Sequence, residues 1–163
     1  MTHIFFDVVL VVATLLCTLN AGFLFAFAAV VMPGLKAFND TEFILAFQKI
    51  DGVIQNGQPL FMLIWVGSAV TLLVATVLGF SQLEQFEFAL LMIACIAYFI
   101  GVQLSTVSIN IPLNNQLQAL DCFTEDSETL TKARTSFESR WDKWNRCRTI
   151  VAIGVSLLLI AIS

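Results

Sequence analysis

The residues best equipped for chemistry lie together in Phe137-Glu-Ser-Arg-Trp141-Asp-Lys-Trp144-Asn145-Arg-Cys-Arg148-Thr149, which runs straight into a terminal apolar segment. In a helix Trp141, Trp144 and Arg148 fall at i, i+3 and i+7 on one face, with Asn145 beside Trp141 at i+4. Indoles can wall or stack on a flat ring, a carboxamide both donates and accepts, and a guanidinium supplies a permanent positive charge. The bland reading of the same strip is an interfacial aromatic belt with topology-setting cations, and Arg140, Lys143 and Arg146 on the flanking faces fit that reading. Other chemistries are thinly represented. The single histidine, His3, stands at the N-terminus, and no Ser/His/Asp set or Gly-rich phosphate loop is present. Cys17 and Cys95 lie inside apolar runs, Cys122 and Cys147 in or beside a polar stretch, and none has metal-ligand spacing, so no metal is expected. An enzyme built from these residues works through amides, an arginine and aromatic walls.

The elements that position this strip are membrane helices. The chain has 163 residues, of which 58% are hydrophobic and 12% charged, about half the charged fraction of a soluble domain. The net charge of −4 is too small and too mixed to imply a nucleic-acid partner, and none is expected. Four apolar runs are long enough for a hydrocarbon core of about 30 Å: roughly residues 4–32, 60–80, 86–109 and 148–162. The first lacks a basic flank and exceeds a signal-peptide core, so it is expected to be a span. Met32-Pro33-Gly34 is expected to end it, Pro59 to open the second, and Pro112 to stop the third. Asn39-Asp-Thr-Glu42 has the form of a capping box. Phe43, Phe47, Ile50 and Ile54 follow at helical spacing, with Gln48, Lys49 and Asp51 assigned to other faces. From Ser127 to Ile162 only Gly154 interrupts helical character, which predicts one helix of about 36 residues, roughly 54 Å long. The expected fold is therefore all-α. It is a single domain over residues 1–163, an up-down four-helix bundle with an amphipathic helix after the first span and the fourth extended into a long cytoplasmic helix. All eight Lys and Arg lie in the two long connections or at their ends. The positive-inside rule then puts those connections in the cytoplasm and both termini outside, in a plasma or inner membrane.

Polar groups within or at the ends of the spans need partners. Asn20 sits mid-span, and Gln103, Thr106 and Asn110 follow at i, i+3 and i+7 in the third run, with Asn114 beyond Pro112. Gln55-Asn56-Gly-Gln58 forms an amide cluster at the start of the second run. The topology brings Asn56, Asn110, Asn114, Trp144, Asn145 and Arg148 to one level on the cytoplasmic side, as a polar vestibule. Asp51 and Asp142 are the only acids near it, and Asp142 is expected to pair with a cation of its own helix. Interhelical glue is the plain alternative for Asn20, Gln103 and Thr106.

Several stretches carry a family resemblance: Val31-Met-Pro-Gly-Leu35, Phe47-Gln-Lys-Ile50, Asn110-Ile-Pro-Leu-Asn114-Asn-Gln-Leu117 and Trp141-Asp-Lys-Trp144-Asn145-Arg-Cys-Arg148-Thr149. In order and spacing they resemble the anthrone-oxygenase-like proteins, small four-span membrane proteins. The resemblance implies insertion of oxygen at the activated methylene of an anthrone without an obvious cofactor. It is carried on Asn110, Asn114, Trp144, Asn145 and Arg148. Many relatives have histidine directly after Trp-Asn, where this chain has Arg146, so a histidine base is missing there. The resulting expectation is a membrane protein that binds a hydrophobic, aromatic or quinone-like molecule at the cytoplasmic vestibule. If it is an enzyme, it is a cofactor-independent oxygenase-like oxidoreductase. Arg148, Asn110 and Asn145 are the expected catalytic residues, stabilising an enolate. Trp144, Trp141, Asn114, Asn56 and Gln103 are expected to bind the substrate. The alternative is a non-catalytic structural or partner-binding protein that assembles through the 130–144 stripe, for example as a homodimer. Membrane lipid is the expected surroundings in either case.

Overall fold

The computed structural model describes residues 2–163, and every regular element among them is helical. The first helix, α1, passes without a break through Thr2–Ala26, a π-helical turn at Phe27–Val31, and Met32–Leu35. α2 spans Asp40–Gln55 and α3 spans Pro59–Gly79. α4 is built from Gln85–Ala97, two π-helical stretches at Tyr98–Leu104 and Thr106–Asn110, and Ile111–Gln118. α5 is one helix of 35 residues, Ser127–Ala161. α1, α3, α4 and α5 are each long and apolar enough to cross a membrane. The protein is thus an integral membrane four-helix bundle, with α2 as the expected amphipathic helix after the first span. Its outward face is apolar: Val77 and Ile150 are 69% and 71% exposed, a pattern suited to lipid and costly in water.

Two prolines behave differently from the expectation. Pro33 and Pro112 do not end their helices, which continue to Leu35 and Gln118. In both places the backbone has already widened. The Met32 N–H reaches back five residues to the Phe27 carbonyl, and the Ile111 N–H does the same to Thr106. The carbonyls that a proline ring would strike, those of Ala29 and Ser108, lie inside these wide turns, so the ring is accommodated.

One core lies between the four long helices and includes Leu10, Cys17, Leu72, Leu91, Tyr98 and Leu159. A second fills one end of the bundle, where Phe43 and Phe47 of α2 meet Leu113 and Leu117 of α4 and Leu130, Phe137 and Trp141 of α5. α2 begins with the predicted capping box: the Glu42 N–H donates to Asn39 Oδ1 at 2.9 Å, and the Asn39 N–H donates to Glu42 Oε2 at 3.2 Å. Its buried residues are Phe43, Ile44, Phe47 and Asp51, with Ile50 and Ile54 only half covered. Asp51 therefore faces inward, against expectation. Of the 130–144 stripe, Leu130, Phe137 and Trp141 are buried within the chain, with Phe137 edge-on against Phe47 at 4.6 Å between ring centroids, while Ala133 and Trp144 are half-buried. The Asp142 carboxylate pairs with Lys36 of the α1–α2 connection at 2.9 Å, not with its own helix. Arg134 donates to the Phe38 carbonyl at 2.7 Å and pairs with Asp40 at 3.0 Å, which ties α5 to the start of α2.

Candidate functional site

On α5 the inward residues are Trp141, Asn145 and Arg148, spaced i, i+4 and i+7. Trp144 lies about 60° around the helix from Trp141 on the side away from Asn145. It is half-buried outside the cavity described below. Asn145 is 1% exposed; its Nδ2 donates to the Leu24 carbonyl at 3.1 Å and its Oδ1 accepts from Arg148 Nη2 at 3.0 Å. Arg148 Nη1 donates to Thr106 Oγ1 at 2.8 Å. The Thr106 hydroxyl in turn donates to the Val102 carbonyl, so its proton is committed and its oxygen is free to accept. Arg148 is buried and forms no ion pair among the described residues, and its Nε has no partner.

These groups line a cavity of about 320 Å³ to which α1, α2, α3, α4 and α5 all contribute, within the size range of small-molecule sites. Its walls are aromatic. Phe23 contacts Phe27 and Phe61 with centroids 5.0 and 5.1 Å apart, Phe61 stacks on Trp65, and Phe27 meets Trp141 at 5.7 Å. At the α2 end the Trp141 Nε1–H donates to Asn114 Oδ1 at 2.8 Å, and Asn114 Nδ2 donates to Asp51 Oδ1 at 2.7 Å. Gln55 and Gln118 donate to the other carboxylate oxygen at 2.7 and 2.9 Å. At the opposite end Asn20 Nδ2 donates to the Tyr98 hydroxyl at 2.7 Å.

Five buried side-chain nitrogen or oxygen atoms lack a partner among the described residues, and four of them belong to cavity residues: Trp65 Nε1, Asn110 Nδ2, Asn110 Oδ1 and Arg148 Nε. A buried donor or acceptor left without a bond costs about 1–3 kcal/mol. Their concentration on residues that line one cavity is what a site shaped for a polar-edged ligand shows.

Of the residues singled out in the sequence, Arg148, Asn110, Asn145, Trp141 and Asn114 come together around this cavity. Gln103, Asn56 and Trp144 do not line it. Gln103 Nε2 donates to the Trp65 carbonyl at 3.2 Å, and Asn56 is the exposed C-cap of α2. Arg146, where the resemblance implies a histidine in relatives, is exposed on α5 and does not line the cavity. Residues not foreseen as site-forming are Asp51, Gln55, Trp65 and the Phe23–Phe27–Phe61 wall. Asp51 follows Phe43 and Phe47 at i+8 and i+4, in phase with the buried stripe, but its charge argues for the wet face. Among the described residues no group of three or more His, Cys, Asp or Glu comes together in a metal-holding arrangement.

No curated protein and no solved structure matches the chain. A family model described as anthrone oxygenase matches residues 53–158, which takes in α3, α4, nearly all of α5 and most of the residues around the cavity. On a match over more than half its length, the chain belongs to the anthrone oxygenase family.

Proposed function

We propose that the protein binds a hydrophobic, aromatic or quinone-like small molecule in this cavity and oxidises it in the manner of an anthrone oxygenase. The observation that carries the reading is that Trp65, Asn110 and Arg148, which line an aromatic-walled cavity, keep four polar atoms without a partner among the described residues. Three are donors and one is an acceptor, so the matching ligand carries carbonyl or phenolate oxygens and at least one hydroxyl. Arg148 gives the arrangement its chemical direction. A buried guanidinium with no carboxylate partner favours a ligand oxygen that gains negative charge, as a ketone does on becoming an enolate. The enolate carbon then bonds to one atom of O₂. Loss of water from the resulting hydroperoxide leaves a new carbonyl, so R₂CH₂ and O₂ give R₂C=O and H₂O. The protein contributes orientation and charge stabilisation.

The charge distribution supports an orientation with the α2 end in the cytoplasm, since all eight Lys and Arg lie toward it. Both termini then face outward, and a reporter fused after Ser163 is expected to be active only outside the cytoplasm. The functional test is oxygen uptake by the purified chain with a panel of anthrones. Consumption of one O₂ per anthrone, lost in Arg148→Met, is expected. No uptake and no binding across the panel refutes the reading.

A further inference from the structure

The cavity holds a second uncompensated charge. Asp51 is 3% exposed and forms no ion pair among the described residues. Its three protein partners are the neutral amides of Asn114, Gln55 and Gln118. Burying a carboxylate this way is costly, and the economical arrangement would place it against the nearest buried cation. Among the described residues Arg148 is the only cationic one lining the same cavity, and Asp51 the only acidic one, yet each is tied to its own neutral scaffold. Trp141 touches both systems: its Nε1–H donates to Asn114, which holds Asp51, and its ring lies 6.0 Å from the Arg148 guanidinium. Among the described residues, Asp51 Oδ1 accepts only the bond from Asn114, whereas Oδ2 accepts two. One carboxylate oxygen at the cavity therefore keeps accepting capacity.

We propose that Asp51 is the catalytic base of this site, a role that rests on the ligand reading above. A neutral substrate lying along the Trp141 ring presents an activated methylene to Asp51 and its carbonyl oxygen to Arg148. The C–H bond breaks, the proton goes to Asp51 Oδ1, and the electron pair moves into the ring system to become the enolate oxygen beside Arg148. Net charge in the cavity is unchanged: the carboxylate is neutralised as the anion appears next to the guanidinium. The two charges are held apart because a substrate has to fit between them.

The test separates proton abstraction from oxygenation. The purified full chain in detergent is mixed with anthrone in D₂O under nitrogen, and loss of the methylene proton signal is followed by NMR. Binding is measured in parallel by quenching of tryptophan fluorescence. The wild type is expected to accelerate exchange above the buffer rate, and Asp51→Asn to bind anthrone while exchanging about 10²–10⁴-fold more slowly. Exchange at the wild-type rate in a folded, binding Asp51→Asn overturns the assignment, and so does a wild type that binds anthrone without accelerating exchange. A wild type that fails to bind refutes the ligand reading instead. Should Asp51→Asn not fold, Asp51→Glu decides: a folded protein that still exchanges supports the carboxylate, and one that binds without exchanging overturns it.

Discussion

Arg148→Met separates a residue kept for a ligand from one kept for the fold. Methionine is unbranched and adaptable, so it fills the guanidinium's channel with little repacking. The substitution removes a buried charge that no carboxylate compensates, and replacing buried ionic groups by well-packed apolar ones is neutral or stabilising by about 1–4 kcal/mol. Against that stands one new defect. Asn145 Oδ1 loses the donor it has at 3.0 Å, a cost of about 1–3 kcal/mol. Thr106 loses nothing essential, because its hydroxyl still donates to Val102 at 2.7 Å. The two effects roughly cancel, and the unfolding midpoint in detergent is expected to stay level or rise slightly. Ligand binding behaves differently. Loss of a charge-assisted hydrogen bond of about 1.5–3 kcal/mol weakens binding about 10- to 150-fold. The assay is fluorescence titration with an anthrone, since Trp65 and Trp141 both line the cavity. A variant that unfolds far more easily yet binds with unchanged affinity refutes the argument, and would make Arg148 a structural strut.

Three further outcomes are expected. Asn110→Leu removes two unpartnered polar atoms from a residue that is 2% exposed; the midpoint of thermal unfolding should hold or rise while anthrone affinity falls about tenfold or more. Gly101→Ala puts a Cβ 2.8 Å from Val151 Cγ1, overpacking the α4–α5 contact by about 1–3 kcal/mol. Val151→Ala in the same chain should restore part of the loss in detergent melts. The Asp40 carboxyl is held below the usual range by hydrogen bonds from Thr131 and then Arg134. A lowered folded-state value means that the contact stabilises above the ordinary carboxylate range and is lost as pH falls through the lowered value. Melting curves taken below about pH 4 should therefore fall less steeply in Asp40→Asn than in wild type.

Much of this architecture is written locally. The capping box at Asn39 and Glu42 sets the start of α2, and hydropathy marks the four long helices. The inward face of α5 follows from plain helical phase once Trp141, and not Trp144, is taken as its leading edge. What single-helix periodicity could not supply is which neighbour covers which face. Asp51 is charged, and on a lone amphipathic helix a charge belongs on the wet side. It turns inward because α4 brings Asn114 and Gln118 to meet it at 2.7 and 2.9 Å, and amide donors from another helix leave no trace in the α2 sequence. The same holds for Trp65, which reads as belt or core until Phe61, Phe23 and Phe27 are seen to continue its wall.

The harder lesson lies in α4. Gln103, Thr106 and Asn110 share a face only if the helix is regular, with neighbours three and four apart. Here Tyr98–Leu104 and Thr106–Asn110 are π-helical, and in turns closed by five-residue hydrogen bonds the residues that superpose are four and five apart. Val102, Thr106, Asn110 and Ile111 therefore line the cavity, and Gln103 turns to the Trp65 carbonyl. The third π turn, Phe27–Val31 in α1, begins with the Phe27 that completes the aromatic wall. All three wide turns thus flank the cavity, and two of them precede the prolines that were expected to break their helices. A wide turn has weaker backbone packing than a regular one and persists where side chains on both sides require it. Its recurrence around this one cavity is the same kind of cost as the unpartnered Asn110 and Arg148 atoms. Each sacrifices stability at the place where a ligand would return it.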